Sequence, residues 1–161
     1  MIKSTKLWAP WRINYIQGKK TKGCIFCQAV KTKRDYVVFR TRNSLVMLNI
    51  FPYNNGHLMV SPLRHVSDTA KLNQAEVVDL FAALNKAKDL LQAVLKPQGF
   101  NVGINLGHAA GAGIVGHLHI HIVPRWVGDT NFMPITAHTK VISQSLKELH
   151  KKLIHAYARS N

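Results

Sequence analysis

The tightest constraint on this chain is the stretch His117-Leu118-His119-Ile120-His121-Ile122-Val123-Pro124. Histidine recurs at every second position, and large apolar residues fill the gaps. A period of two marks an extended strand, whose successive side chains point to opposite faces. Leu118, Ile120 and Ile122 are then expected to enter a core. The three imidazoles are expected to share the other face, about 7 Å from one to the next. Pro124 has no N–H to give to a ladder and is expected to end the strand. Neutral imidazole suits acid–base, nucleophilic and metal chemistry near pH 7. Three in register beside a buried face point to a single site.

The residues just upstream narrow the chemistry. Asn105-Leu106-Gly107-His108-Ala109-Ala110-Gly111-Ala112-Gly113-Ile114-Val115-Gly116 is rich in glycine and alanine. Small residues let backbone approach a ligand closely, and successive N–H groups in such a loop can cradle an anion. The N–H groups from Gly111 to Ile114 are expected to face charge developing on phosphoryl oxygens. Loop and strand together read as a phosphate site with a nucleophile beside it.

At 161 residues and 47% apolar content, one domain with a sizeable core is expected. No stretch approaches the roughly 20 apolar residues of a membrane span. The start, Met1 to Trp8, lacks the apolar segment of a signal peptide, so a cytoplasmic location is expected. Lys+Arg total 22 against 7 Asp+Glu, a net charge of +15. Such a field attracts polyanions: nucleoside polyphosphates fit it, and charge alone does not exclude nucleic acid. Much of it lies at Lys19-Lys20, Lys31 to Arg34 and Lys147 to Arg159, away from the histidines.

Residues 1–23 form a basic extension, with Trp8, Pro10, Trp11 and Tyr15 available to pack it onto the domain. Cys24-Ile25-Phe26-Cys27 holds the two cysteines of the chain. A C-x-x-C pair is half a zinc site or a redox pair, and two histidines could complete a zinc site. Strands are expected over Tyr36 to Arg40, Ser44 to Asn49, His57 to Pro62 and Phe100 to Leu106, with the triad as a fifth. Asn73 and Glu76 are spaced as a capping box. Val77, Leu80, Phe81, Leu84, Leu91, Val94 and Leu95 follow at helical spacing, and Pro97 and Gly99 end the run. Ser143 to Tyr157 reads as a basic amphipathic helix. The class is α+β, a largely antiparallel sheet of about five strands with one long helix and a C-terminal helix.

The motif His117 to Val123 resembles the histidine-triad (HIT) signature. The likeness extends through Leu48-Asn49-Ile50-Phe51-Pro52, Gly56 to His65, Pro124 to Pro134 and Leu7-Trp8-Ala9-Pro10-Trp11-Arg12. It covers nearly the whole chain as a single HIT domain, residues 1–161. It is similar to the bacterial branch that includes diadenosine-tetraphosphate phosphorylases.

That resemblance implies roles the spacing cannot choose. His119 is implied as the nucleophile that forms a covalent nucleotidyl-histidine. His121 is implied at the phosphate and leaving group, with His57 and His117 orienting the others. Asn49 matches the ribose-binding position, and Ile25 and Phe26 match positions lining the base pocket. Asn105 has the type and place to contact phosphate or nucleophile. With Cys24 and Cys27, the resemblance implies His65 and His117 as ligands of a structural zinc. Homodimers pairing through the long helix and sheet edge are also implied. Gly113 stands where many members carry a glutamine that handles the leaving group, which leaves open whether the acceptor is water or phosphate.

The expected activity is cleavage of dinucleoside polyphosphates. A nucleoside phosphoramidate hydrolase of the same family is the alternative. A zinc-stapled basic nucleic-acid-binding module is the alternative from another class. Catalytic zinc held by the triad itself is a further idea, against which the Gly-rich phosphate loop speaks.

Overall fold

The computed structural model describes residues 23–32, 36–130 and 142–160. The expected packing of Trp8, Pro10, Trp11 and Tyr15 lies outside them. The elements run α1 (Ile25–Lys31), β1 (Val37–Arg40), β2 (Ser44–Leu48), β3 (Leu58–Pro62), a 3-10 turn (Thr69–Lys71), α2 (Gln74–Leu95), β4 (Gly99–Ile104), β5 (Ile120–Arg125) and α3 (Leu146–Arg159). The five strands form one antiparallel sheet in the order β1-β2-β3-β5-β4.

One face of the sheet is covered by α2 and α3. Val46, Leu48, Leu58, Val60, Ile120 and Ile122 pack there against Leu80, Ala83, Leu84, Ala87, Leu91, Leu149 and Leu153. The start of α2 follows from its sequence. The Asn73 side chain accepts from the Glu76 N–H at 2.9 Å, and the Glu76 carboxylate accepts from the Asn73 N–H at 3.0 Å. The helix stops at Leu95, with Lys96 left-handed (φ 50°) and Pro97 after it. Its apolar stripe is wider than its buried face: Val77 and Phe81 are exposed, beside an edge strand whose Val102 and Ile104 are exposed too. Among the described residues no helix is long and apolar enough to cross a membrane.

The opposite face carries a second, smaller core. Phe26 and Ala29 of α1 pack on Leu45, Met47 and Met59. Arg40 of β1 holds the end of α1, its guanidinium donating to the carbonyls of Ala29, Val30 and Thr32. Directly opposed residues of paired strands share a face. Met47, Met59, His121 and Gly103 are opposed in turn, so this face also carries the histidines.

Two details of the triad strand differ from expectation. Pro124 sits inside β5, opposite Phe100, and does not end it. The backbone N and C=O of one strand residue point to the same side, and the Pro124 carbonyl accepts from Asn54 Nδ2 at 3.0 Å. The missing N–H therefore faces the β3 side, beyond the last β3–β5 pair at Leu58 and Ile122. At the other end the ladder starts only at Ile120, and the Leu118 N–H instead donates to the Val66 carbonyl at 2.6 Å.

Candidate active site and metal cluster

All four sequence-selected histidines converge. His57, His117, His119 and His121 are buried, none more than 8% exposed. Alternation therefore sorts side chains between two covered faces, not between a core and an open surface.

Hydrogen bonding assigns the protons on these rings. His57 Nδ1 lies 3.0 Å from the Tyr53 N–H and 3.3 Å from Asn49 Nδ2. Both are donors, so Nδ1 is an acceptor and the proton sits on Nε2. That Nε2 is 2.9 Å from His121 Nδ1, which must then accept and leave His121 protonated at Nε2. His119 Nδ1–H donates to the His117 carbonyl at 2.8 Å, so its Nε2 carries a lone pair. His117 Nε2–H donates to the Pro62 carbonyl at 2.9 Å, so its lone pair is on Nδ1.

The site is neutral as well as dry. Burial, reinforced by the neighbouring His121 and His119, pushes His57 down to about 3. Burial, then His119, pushes His121 down to about 4. His117 and His119 are also lowered, chiefly by burial. Charging an imidazole here means removing a cation from water.

The His117 lone pair points to a second cluster. Its Nδ1 lies 3.3 Å from Cys24 Sγ, 3.5 Å from Cys27 Sγ and 3.2 Å from His65 Nδ1, and Cys27 Sγ lies 3.1 Å from His65 Nδ1. All four ligand atoms fall within 4.8 Å of one another. A tetrahedral zinc with Zn–S near 2.3 Å and Zn–N near 2.0 Å has edges of roughly 3.3–3.8 Å, so the donor set and spacing fit. Cys24 is the N-cap of α1 and Cys27 lies in its first turn. The pair thus opens a helix, but convergence on two histidines favours a metal over redox exchange. The turn bearing His65 is tethered by Arg64, whose Nε and Nη2 each contact the Glu76 carboxylate at 2.7 Å. Gly116 completes the fit, since a Cβ there would lie 3.4 Å from His65 Nε2.

The other selected residues take mixed places. Asn49 is 9% exposed beside His57, and its Oδ1 accepts from the Phe51 N–H at 2.9 Å, which leaves one lone pair for a ligand. Phe26 has no exposed surface, and its ring lies 5.0 Å from those of both His117 and His119. It backs His119 and forms no wall of an open pocket, whereas Ile25 is partly buried at the edge of the same cluster. Asn105 Nδ2 is 3.8 Å from the Cβ position of Gly111, which sets it against the Gly-rich loop. In that loop the Gly111 and Ala112 N–H groups are spent on His108 and Gly107 carbonyls. Of the N–H groups expected to cradle an anion, those of Gly113 and Ile114 make no such bond within the loop.

Sequence reasoning passed over Tyr53, whose ring lies 4.5 Å from His57 and 5.5 Å from His121. It also passed over Asn54, which ties its loop to Pro124 and to Asp129 Oδ2 at 2.7 Å. The run Phe51-Pro52-Tyr53 in front of His57 was the available signal.

Known proteins place this arrangement. The HIT domain model matches residues 30–127. The chain is 39% identical over 165 residues to a protein of Mycobacterium tuberculosis named AP-4-A phosphorylase, covering 96% of this chain and 85% of that one. It is 36% identical over 93 residues to the asymmetrical bis(5'-nucleosyl)-tetraphosphatase of Schizosaccharomyces pombe, covering 58% and 50%. A zinc-bound histidine triad family protein from Mycobacterium smegmatis superposes with a TM-score of 0.68 at 27% identity, covering 85% and 94%. By family model, relatives and fold, this chain is a member of the HIT family.

Proposed function

We propose that this protein cleaves dinucleoside polyphosphates of the diadenosine tetraphosphate type through a covalent nucleotidyl-histidine on His119. The observation that carries the reading is the His119 Nδ1–H bond to the His117 carbonyl, which leaves an Nε2 lone pair in a site of neutral imidazoles.

His119 Nε2 attacks the α-phosphorus, and the bond from that phosphorus to the bridging oxygen breaks, releasing the nucleoside triphosphate. The His117 carbonyl stabilises the resulting imidazolium through Nδ1–H. His121 Nε2–H hydrogen-bonds the leaving oxygen, while His57 and Asn49 hold His121 in that tautomer. Gly113 and Ile114 N–H groups take the phosphoryl oxygens and Asn49 the ribose. The base lies toward Ile25, with Phe26 behind the nucleophile. Phosphate or water then attacks the nucleotidyl-histidine and frees the imidazole. The likeness to the mycobacterial protein favours phosphate.

Cys24, Cys27, His65 and His117 would hold a zinc, which would supply structure and no reacting group. Bound there, it would fix His117, whose carbonyl accepts from His119, a chain of orientation common around metal sites. We assign the protein to the cytoplasm as a homodimer. Among the described residues β4 is an edge strand, and that edge and the exposed Val77, Phe81, Val102 and Ile104 support pairing there.

The test is a product analysis with diadenosine tetraphosphate, with and without phosphate. ADP plus ATP only when phosphate is present establishes phosphorolysis. AMP plus ATP in both buffers establishes hydrolysis by the same route. No turnover in either rejects the dinucleotide reading and leaves the phosphoramidate alternative.

A further inference from the structure

The loop between β2 and β3 presents an exposed aromatic ring to the catalytic histidines. Tyr53 is 54% exposed although it contacts the rings of His57 and His121. Its backbone is fixed on both sides. Tyr53 N–H donates to His57 Nδ1, Asn54 is bound to Pro124 and Asp129, and Gly56 fits where a Cβ would lie 2.5 Å from Leu95 Cδ1. The ring is therefore held out on a rigid support.

Beside it opens a cleft of about 280 Å³ lined by Tyr53, Asn54, Asn101, Val123, Arg125 and Thr130. Val123 and Arg125 lie two and four residues beyond His121 and share its face of β5. The cleft is thus reached by passing His121, away from the Gly-rich loop. Its charge defines what fits. Arg125 is neutralised by Asp129 through bonds of 2.6 and 2.9 Å, and its Nη1 is held by Asn101 Oδ1 at 2.6 Å. The other lining side chains are uncharged, so the cleft is a poor seat for phosphates. An aromatic face with amide and hydroxyl groups around it suits an uncharged nucleoside.

We propose that this cleft seats the distal nucleoside of a dinucleoside polyphosphate, its base stacked on Tyr53 and its ribose beside Asn101. The inference rests on the dinucleotide reading above. It assigns the two ends of the substrate: the reacting nucleotide at His119, the polyphosphate past His121, and the second nucleoside on Tyr53.

The test is calorimetric binding to zinc-loaded His119→Ala protein, in which nothing is turned over. Diadenosine tetraphosphate is compared with the terminal methyl ester of adenosine tetraphosphate, which lacks the distal nucleoside but keeps the same phosphate charge. We expect the dinucleotide to bind tighter. Adding Tyr53→Ala is expected to remove about tenfold of that preference, and Tyr53→Phe to keep it. An equal loss for both ligands makes Tyr53 a packing partner of His57 and His121 and overturns the proposal. An unchanged preference, or none to begin with, also overturns it. If native enzyme still turns over the dinucleotide in those cases, this proposal fails alone. If native enzyme does not, the dinucleotide reading fails with it.

Discussion

The two faces of the sheet are buried to the same degree by opposite means. On the helix-covered face, Leu58, Ile122 and Leu91 are fully buried among other apolar groups. Such a core is non-directional, and its strength tracks the apolar area removed from water. On the other face, His57 and His117 are also fully buried, with His119 and His121 nearly so. These rings survive burial only neutral, and three of them with the protonated nitrogen donating along one direction: His57 to His121, His119 to the His117 carbonyl, His117 to the Pro62 carbonyl. An apolar face tolerates a change of detail. A directional face does not, and that is why the chemistry can reside there.

The sharpest way to break the comparison is one substitution on each face. His119→Ala is expected to lower turnover at least about a thousandfold and abolish the covalent adduct, with the circular dichroism spectrum retained. Leu91→Ala is expected to cost about 2–5 kcal/mol of stability in urea unfolding, while the remaining folded protein still forms the adduct. Adduct formation lost in both variants would mean that the faces are not separable.

Metal removal probes the link between the His117 lone pair and His119. A strong chelator is expected to lower the melting temperature and turnover together, with zinc restoring both. Cys27→Ser is expected to show the lowered values from the start and to respond less to the chelator. Unchanged activity after verified zinc removal would separate cluster from catalysis.

Acid separates the faces by pH. His57 and His121 are lowered in the fold, to about 3 and about 4, so the unfolded chain takes up their protons first. Their contribution is complete above about pH 6.5 and falls as pH drops, by up to about 1.4 kcal/mol per unit for each ring. Glu76 is held down to about 2, mainly by Arg64 and then by the Asn73 backbone. Its contribution is full above about pH 4.5 and is lost toward pH 2. Glu76→Gln is therefore expected to cost about 1–2 kcal/mol at pH 7, a difference from native protein that closes below pH 4. Denaturant titrations from pH 8 to 3 check both windows, and stability that stays flat between pH 7 and 5 would contradict the neutral-histidine site.

Much of this was legible because its causes are local. The alternation 117–123, the Asn73–Glu76 box and the apolar period of α2 depend on neighbours within a few residues. Outside the Gly-rich loop, the misjudged positions depend on remote partners. Pro124 stays in its strand because β3 has ended alongside it. Val77 and Phe81 remain exposed because, among the described residues, neither is in the core that buries the rest of the helix stripe. The Gly111 and Ala112 N–H groups are lost to the turn of their own loop.

The sequence by itself determined that three histidines alternate with apolar residues behind a small-residue loop, because that pattern is set by residue order alone, although only His121 of the three lies in β5. It also determined the α+β class. Only the tertiary structure decided which nitrogen of each ring carries the proton, because that depends on carbonyls and amides at Pro62, Tyr53 and Asn49, far from the triad in the chain. It also decided that the cysteines of α1 meet His65 and His117, because a cluster drawn from three separate segments exists only after the sheet brings them together.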